Sequence, residues 1–158
     1  MDLLPLFQWC EETAIGALVR DSVWLFPAIE AVHLIAFGVI GGAVLLVDLR
    51  LWGLGLRQQP VARVAASAQP WLLGSLLVMS ASGTAMFLSE AVKCYYSEPF
   101  RVKMAGLALA ILFTFTVRRR VAATEETRVG ARGKLVALVS LSLWSSVAWG
   151  GRWIGFSG

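Results

Sequence analysis

The run from Val23 to Val47 is apolar except for Glu30 and His33, and no other feature of the chain limits its fold as much. A helix rises about 1.5 Å per residue, so this run crosses a hydrocarbon core of about 30 Å with residues to spare. Three further runs follow. Pro70 opens the second, Trp71 to Leu88, because its missing N–H suits the first turn of a helix. Ser97 can cap the third, with Glu98 and Pro99 in its first turn, and Arg118, Arg119 and Arg120 stop it after Val117. The fourth extends from Leu135 to about Phe156. The predicted spans are therefore about 23–47, 70–89, 99–117 and 135–156.

Composition agrees. With 58% hydrophobic and 15% charged residues and a mean hydropathy of +0.71, the chain falls well short of the roughly one-quarter charge that a soluble domain carries. The expectation is an all-α integral membrane four-helix bundle in which residues 1–158 form a single membrane domain. Residues 1–22 are acidic and interrupted, unlike a signal peptide, and read as an N-terminal amphipathic helix lying in the interface.

Fourteen Lys and Arg against ten Asp and Glu, with a pI near 9.6, could suggest a nucleic-acid binder. Position argues otherwise, since most of the cations flank apolar runs, where the positive-inside rule accounts for them. Arg50, Arg57 and Arg63 follow the first span, and Arg118, Arg119, Arg120, Arg128, Arg132 and Lys134 follow the third. Those loops are expected in the cytoplasm and both termini in the periplasm, for a multi-pass protein of a bacterial inner membrane. Cys10 and Cys94 then share the oxidising side, where a disulfide is permitted, and their spacing offers no zinc or thioredoxin-like motif.

Ionisable groups within a span cost a few kcal/mol each and tend to mark function. Glu30 and His33 lie roughly 10 and 15 Å below the outer surface and, three residues apart, share a helix face. Glu90 ends the second span, Lys103 lies about one turn into the third, and Arg152 is near the end of the fourth, all on the outer side. With both acids and both bases charged and His33 neutral, the group sums to zero, which makes burial tolerable. The plainer readings are that Lys103 and Arg152 snorkel to headgroups, that Glu90 is interfacial, and that His33 is a satisfied core histidine. Glu30 beside the ring favours the functional reading, because a carboxylate can fix the tautomer of a ligating histidine. With one histidine in the chain, a bis-histidine haem within one copy is excluded. A five-coordinate haem, a His33 and Lys103 pair, or a haem shared across a homodimer remain.

Asp48 and Arg50 read as interfacial charges that pair with the loop or with headgroups. Trp24, Trp52, Trp71, Trp144, Trp149 and Trp153 read mainly as an aromatic belt. Gly38 and Gly42, and Ser142, Ser146 and Gly150, have the spacing of four that brings helix backbones close in lipid. No G-x-S-x-G elbow, Gly-rich phosphate loop or strand pattern occurs.

The segments FPAIEAVHLIAFGVIGGAVLLVDLRLWGL, PWLLGSLLVMSASGTAMFLSEA, EPFRVKMAGLALA and WGGRWIGF resemble an uncharacterised family of small bacterial four-helix inner-membrane proteins over nearly the whole chain. More loosely, a His in the first span and a Lys opening the third look like the small haem-binding membrane protoporphyrinogen oxidases and neighbouring membrane haem and copper-resistance families. That resemblance implies a cofactor site on His33 and Lys103, in a chain that lacks the further histidines of those oxidases.

Three functions compete. The first is a redox-related membrane protein binding haem b, with His33 as iron ligand, or a quinone as the alternative; His33, Glu30, Lys103, Arg152 and Glu90 are then the cofactor-binding residues. The second is a non-catalytic accessory subunit of a larger membrane complex, and the third is proton or ion passage, for which no paired repeats are visible.

Overall fold

The computed structural model describes residues 3–124 and 130–154. All regular structure among them is helical: α1 (Leu4–Glu11), α2 (Ala14–Asp21), α3 (Leu25–Trp52), α4 (Val61–Ser89), α5 (Ala91–Tyr96), α6 (Glu98–Phe113), a π-helical turn (Thr114–Arg118), α7 (Arg119–Thr124) and α8 (Ala131–Ile154). Four spans are long and apolar enough to cross a membrane: α3, α4, the continuous stretch from Glu98 to Thr124, and α8. The protein is an all-α membrane bundle.

The N-terminal segment is two short helices rather than one. Thr13 breaks it by adopting an extended backbone and accepting the Gly16 N–H at 3.2 Å, a side-chain cap that starts α2 afresh. Both helices dock on the bundle. Phe7 meets Phe87 at 5.6 Å and Tyr95 at 5.1 Å between ring centroids, both edge to face. The Glu11 carboxylate accepts the Val92 N–H at 2.7 Å and so caps α5 from another part of the chain. Cys10 and Cys94 are free thiols, so aromatic packing and this cap hold α1 to α5, in place of the permitted disulfide.

The first span runs on to Trp52 and the fourth starts at Ala131, and the two largest differences from the predicted boundaries lie in the second and third spans. The second span starts at Val61, behind Pro60, and Pro70 lies inside it. The stretch Val61–Gln69 is polar enough to look like a loop, yet Val61, Val64 and Ala68 bury one face at helical spacing, and tertiary packing carries the helix through the proline. The third span does not stop at the arginines. It continues to Thr124 because Arg118 turns inward and finds partners inside the bundle, while Val121 and Ala122 are buried beyond it.

The helices form an open ring. α3 packs on α4 and on α8, and α8 packs on α6. Between α4 and α6 there is no extended contact among the described residues: Phe87 stacks on Phe100 at one end, and α7 meets α4 at the other. The span Glu98–Thr124 is correspondingly peripheral, with 11% of its most apolar window buried against 39% for α8. A lateral seam therefore runs between the second and third spans.

The small-residue stripes divide. A Cβ at Gly38 or Gly42 would touch nothing, so that stripe of α3 does not pack within the chain, and Ala36, Ile40, Ala43, Val44 and Val47 form its buried face instead. Gly150 is a genuine close approach, since a Cβ there would sit 3.2 Å from Lys103 Cβ. Trp144 leaves the belt as well. It is buried, and its indole N–H donates to Thr114 Oγ1 at 3.2 Å, whereas Trp24, Trp71 and Trp149 are exposed.

Candidate functional site

His33 lies on α3 at the half of the bundle that carries α1, α2 and α5, and it is partly buried against α4. Its Nδ1 is 3.0 Å from Ser82 Oγ. A serine has one hydroxyl proton, and that of Ser82 is directed to the Val78 carbonyl at 2.7 Å. The Met79 carbonyl, 3.2 Å from the same hydroxyl, is a second acceptor for it, and with the proton so engaged Ser82 Oγ accepts from Nδ1–H, the tautomer in which Nε2 carries the lone pair. The imidazole rests against the bare backbone of Gly83, where a Cβ would come within 3.1 Å of Cε1. A glycine is needed here to let the ring approach α4.

Lys103 on α6 is the second inward-facing member. Its stem packs over Gly150 and Gly151 of α8, and it lies within electrostatic reach of both His33 and Cys94. The remaining candidates lie further out. Glu30, expected to fix the tautomer, acts on His33 electrostatically, but its side chain is exposed, and the group within hydrogen-bond distance of Nδ1 is Ser82. Glu90 pairs with Lys93 at 3.8 Å in a half-exposed bridge. Arg152 is exposed near the end of α8. Of the five residues, the structure turns two, His33 and Lys103, toward the interior.

Cys94 sits in the same half of the bundle, on α5 outside the spans. Burial, reinforced by Glu90, pushes its thiol up to about 11, so it is protonated and unreactive at neutral pH. Among the described residues no three His, Cys, Asp or Glu side chains are gathered to hold a bare metal ion.

At the opposite, basic end, sequence reasoning missed a second buried polar group. Arg118 Nε donates to Asp48 Oδ1 at 2.7 Å, and Nη2 donates to the Val44 carbonyl at 3.0 Å. Asp48 is completely buried and Arg118 6% exposed, so this is an interior ion pair rather than the interfacial charge expected of Asp48. Arg50 does pair with the loop, its Nε donating to the Gln59 carbonyl at 2.7 Å. The π turn sets the register. Within it the Arg119 N–H reaches back to the Thr114 carbonyl, and Arg118 is left facing α3. Opposite charges at the basic ends of the first and third spans were the available signal.

An apolar four-span bundle with one half-buried histidine and one buried ion pair defines a small helical membrane protein whose polar groups are held in the spans. The chain belongs to the family of unknown function DUF6644, which matches residues 6–157. No curated protein and no solved structure matches it.

Proposed function

We propose that this protein binds haem b between its spans, with His33 Nε2 as the axial ligand and Lys103 as countercharge to a propionate or as the second ligand. The observation that supports this reading is the contact between His33 Nδ1 and Ser82 Oγ: with the serine proton on a backbone carbonyl it favours protonation at Nδ1, the tautomer whose Nε2 lone pair can ligate iron. The donor set suits a single axial position. Haem, when bound, supplies one-electron chemistry; the chain's own residues orient the ring, hold the tautomer and place a cation nearby.

The same tautomer supports a second ligand class. A basic Nε2 accepts a proton from a quinol hydroxyl, and the seam between α4 and α6 admits a lipid-soluble molecule from the side. The proposed site rests on His33 and Lys103, with Glu30 acting on His33 electrostatically from an exposed position. Extraction of the detergent-purified protein distinguishes the readings: haem b in stoichiometric amount is expected, quinone alone supports the second ligand, and neither would leave an accessory-subunit role. Ser82→Ala is expected to retain haem with a raised reduction potential, because an imidazole without its Nδ1 partner is a weaker donor.

A further inference from the structure

The Asp48 and Arg118 pair is more than a structural clamp. Arg118 has two engaged nitrogens, Nε on Asp48 and Nη2 on Val44, and among the described residues Nη1 has no hydrogen-bond partner. The guanidinium lines a cavity of about 170 Å³ between α4 and the π turn with α7. Half of its lining residues are alanine, among them Ala65, Ala66 and Ala68, and beside Arg118 the polar ones are Gln69, Thr114 and Arg119. A guanidinium N–H lining a largely apolar cavity favours a ligand that can accept from it.

The charge balance specifies the acceptor. Two arginines line the cavity; Asp48 neutralises Arg118, and among the described residues no carboxylate pairs with Arg119, whose side chain is exposed. The complement is a group with a single negative charge and oxygen acceptors. Away from Gln69, Thr114 and the arginines the walls are alanine, Val47, Leu72 and Phe115, so the part of the ligand that meets them is apolar. The volume slightly exceeds the roughly 150 Å³ that encloses a benzene molecule, enough for a headgroup with the carbons next to it and too little for a whole lipid.

We infer that this cavity binds the phosphodiester of an anionic phospholipid from the leaflet at the basic end, with Arg118 Nη1 donating to a phosphate oxygen and Arg119 adding the net charge. The site is independent of His33. It makes the third span, the least covered of the four, a lipid-anchored element.

Native mass spectrometry of the full chain in neutral detergent tests this with three probes: dioleoylphosphatidylglycerol, dioleoylphosphatidylcholine and inorganic phosphate. One phosphatidylglycerol is expected to be retained at least tenfold more tightly than phosphatidylcholine, with no competition from millimolar phosphate. Arg119→Gln should weaken it about fivefold. Arg118 variants risk unfolding, so Ala65→Leu, which fills the cavity and leaves the ion pair, provides the second test and should abolish the preference while helicity by circular dichroism is unchanged. Equal retention of the two lipids, an unchanged preference in a folded Ala65→Leu protein, or tight binding of phosphate alone would each overturn the assignment.

Discussion

Individual side chains here are set by what they face inside the bundle. Asp48 and Arg118 are 70 residues apart, and each read alone is an ordinary charge at a span end. Paired, they are almost wholly buried, and Ser140 of α8 is the further polar side chain that acts on the Asp48 carboxylate. Removing one partner strands the other, so Asp48→Asn or Arg118→Gln should each cost about 3–5 kcal/mol in denaturant-induced unfolding, and replacing both with apolar residues should recover most of that. Recovery of nothing in the double variant would show that the pair does more than balance charge. Cys94 carries a pH prediction. Its folded value of about 11 stands above the ordinary 9.0. Below pH 9 the thiol is protonated in both folded and unfolded chains, and its contribution to stability is intact. Between pH 9 and 11 the unfolded chain ionises first, so stability falls across that window. Alkylation of Cys94 in the folded protein should accelerate up to about pH 11, and a plateau by pH 9 would contradict the burial of the thiol.

At the scale of helices, long periodic apolar runs were legible in the sequence and their ends were not. The existence of four spans follows from hydropathy alone, which needs no partner. The ends of α4 and of the third span depend on tertiary burial of Val61, Val64, Val121 and Ala122, and on the unseen partner of Arg118. His33 and Lys103 were visible because ionisable groups stand out against lipid. Ser82 and Gly83 were not, since a serine and a glycine in a span look like packing residues until an imidazole is found against them. The docking of α2 rests on another glycine: a Cβ at Gly16 would collide with the Leu88 carbonyl oxygen and crowd that of Glu11. Gly16→Ala should therefore destabilise this contact by about 1–3 kcal/mol, detected as faster amide exchange in α1 and α2 with the spans unaffected. Unchanged exchange would show that α2 can shift without loss.

The whole molecule is an incomplete ring with two chemically different halves. One half holds His33, Lys103 and the docked N-terminal helices; the other holds the ion pair, the alanine-walled cavity and most of the arginines. From the arginine bias we propose that the second half faces the cytoplasm. A membrane-impermeant maleimide applied to intact cells should then label cysteines introduced next to α1 and spare those introduced near Arg57; the reverse pattern would invert the topology. Among the described residues α4 and α6 make no extended contact, so the third span joins the bundle mainly through α8. The central claim is that His33 Nε2, freed by Ser82, holds a haem. Its most direct test is the absorption spectrum of the detergent-purified protein, air-oxidised and then dithionite-reduced, beside that of His33→Ala. The account predicts a Soret band that shifts on reduction in the native chain and is lost in a folded His33→Ala protein. A native chain with no Soret band, or a variant whose spectrum is unchanged, would contradict it.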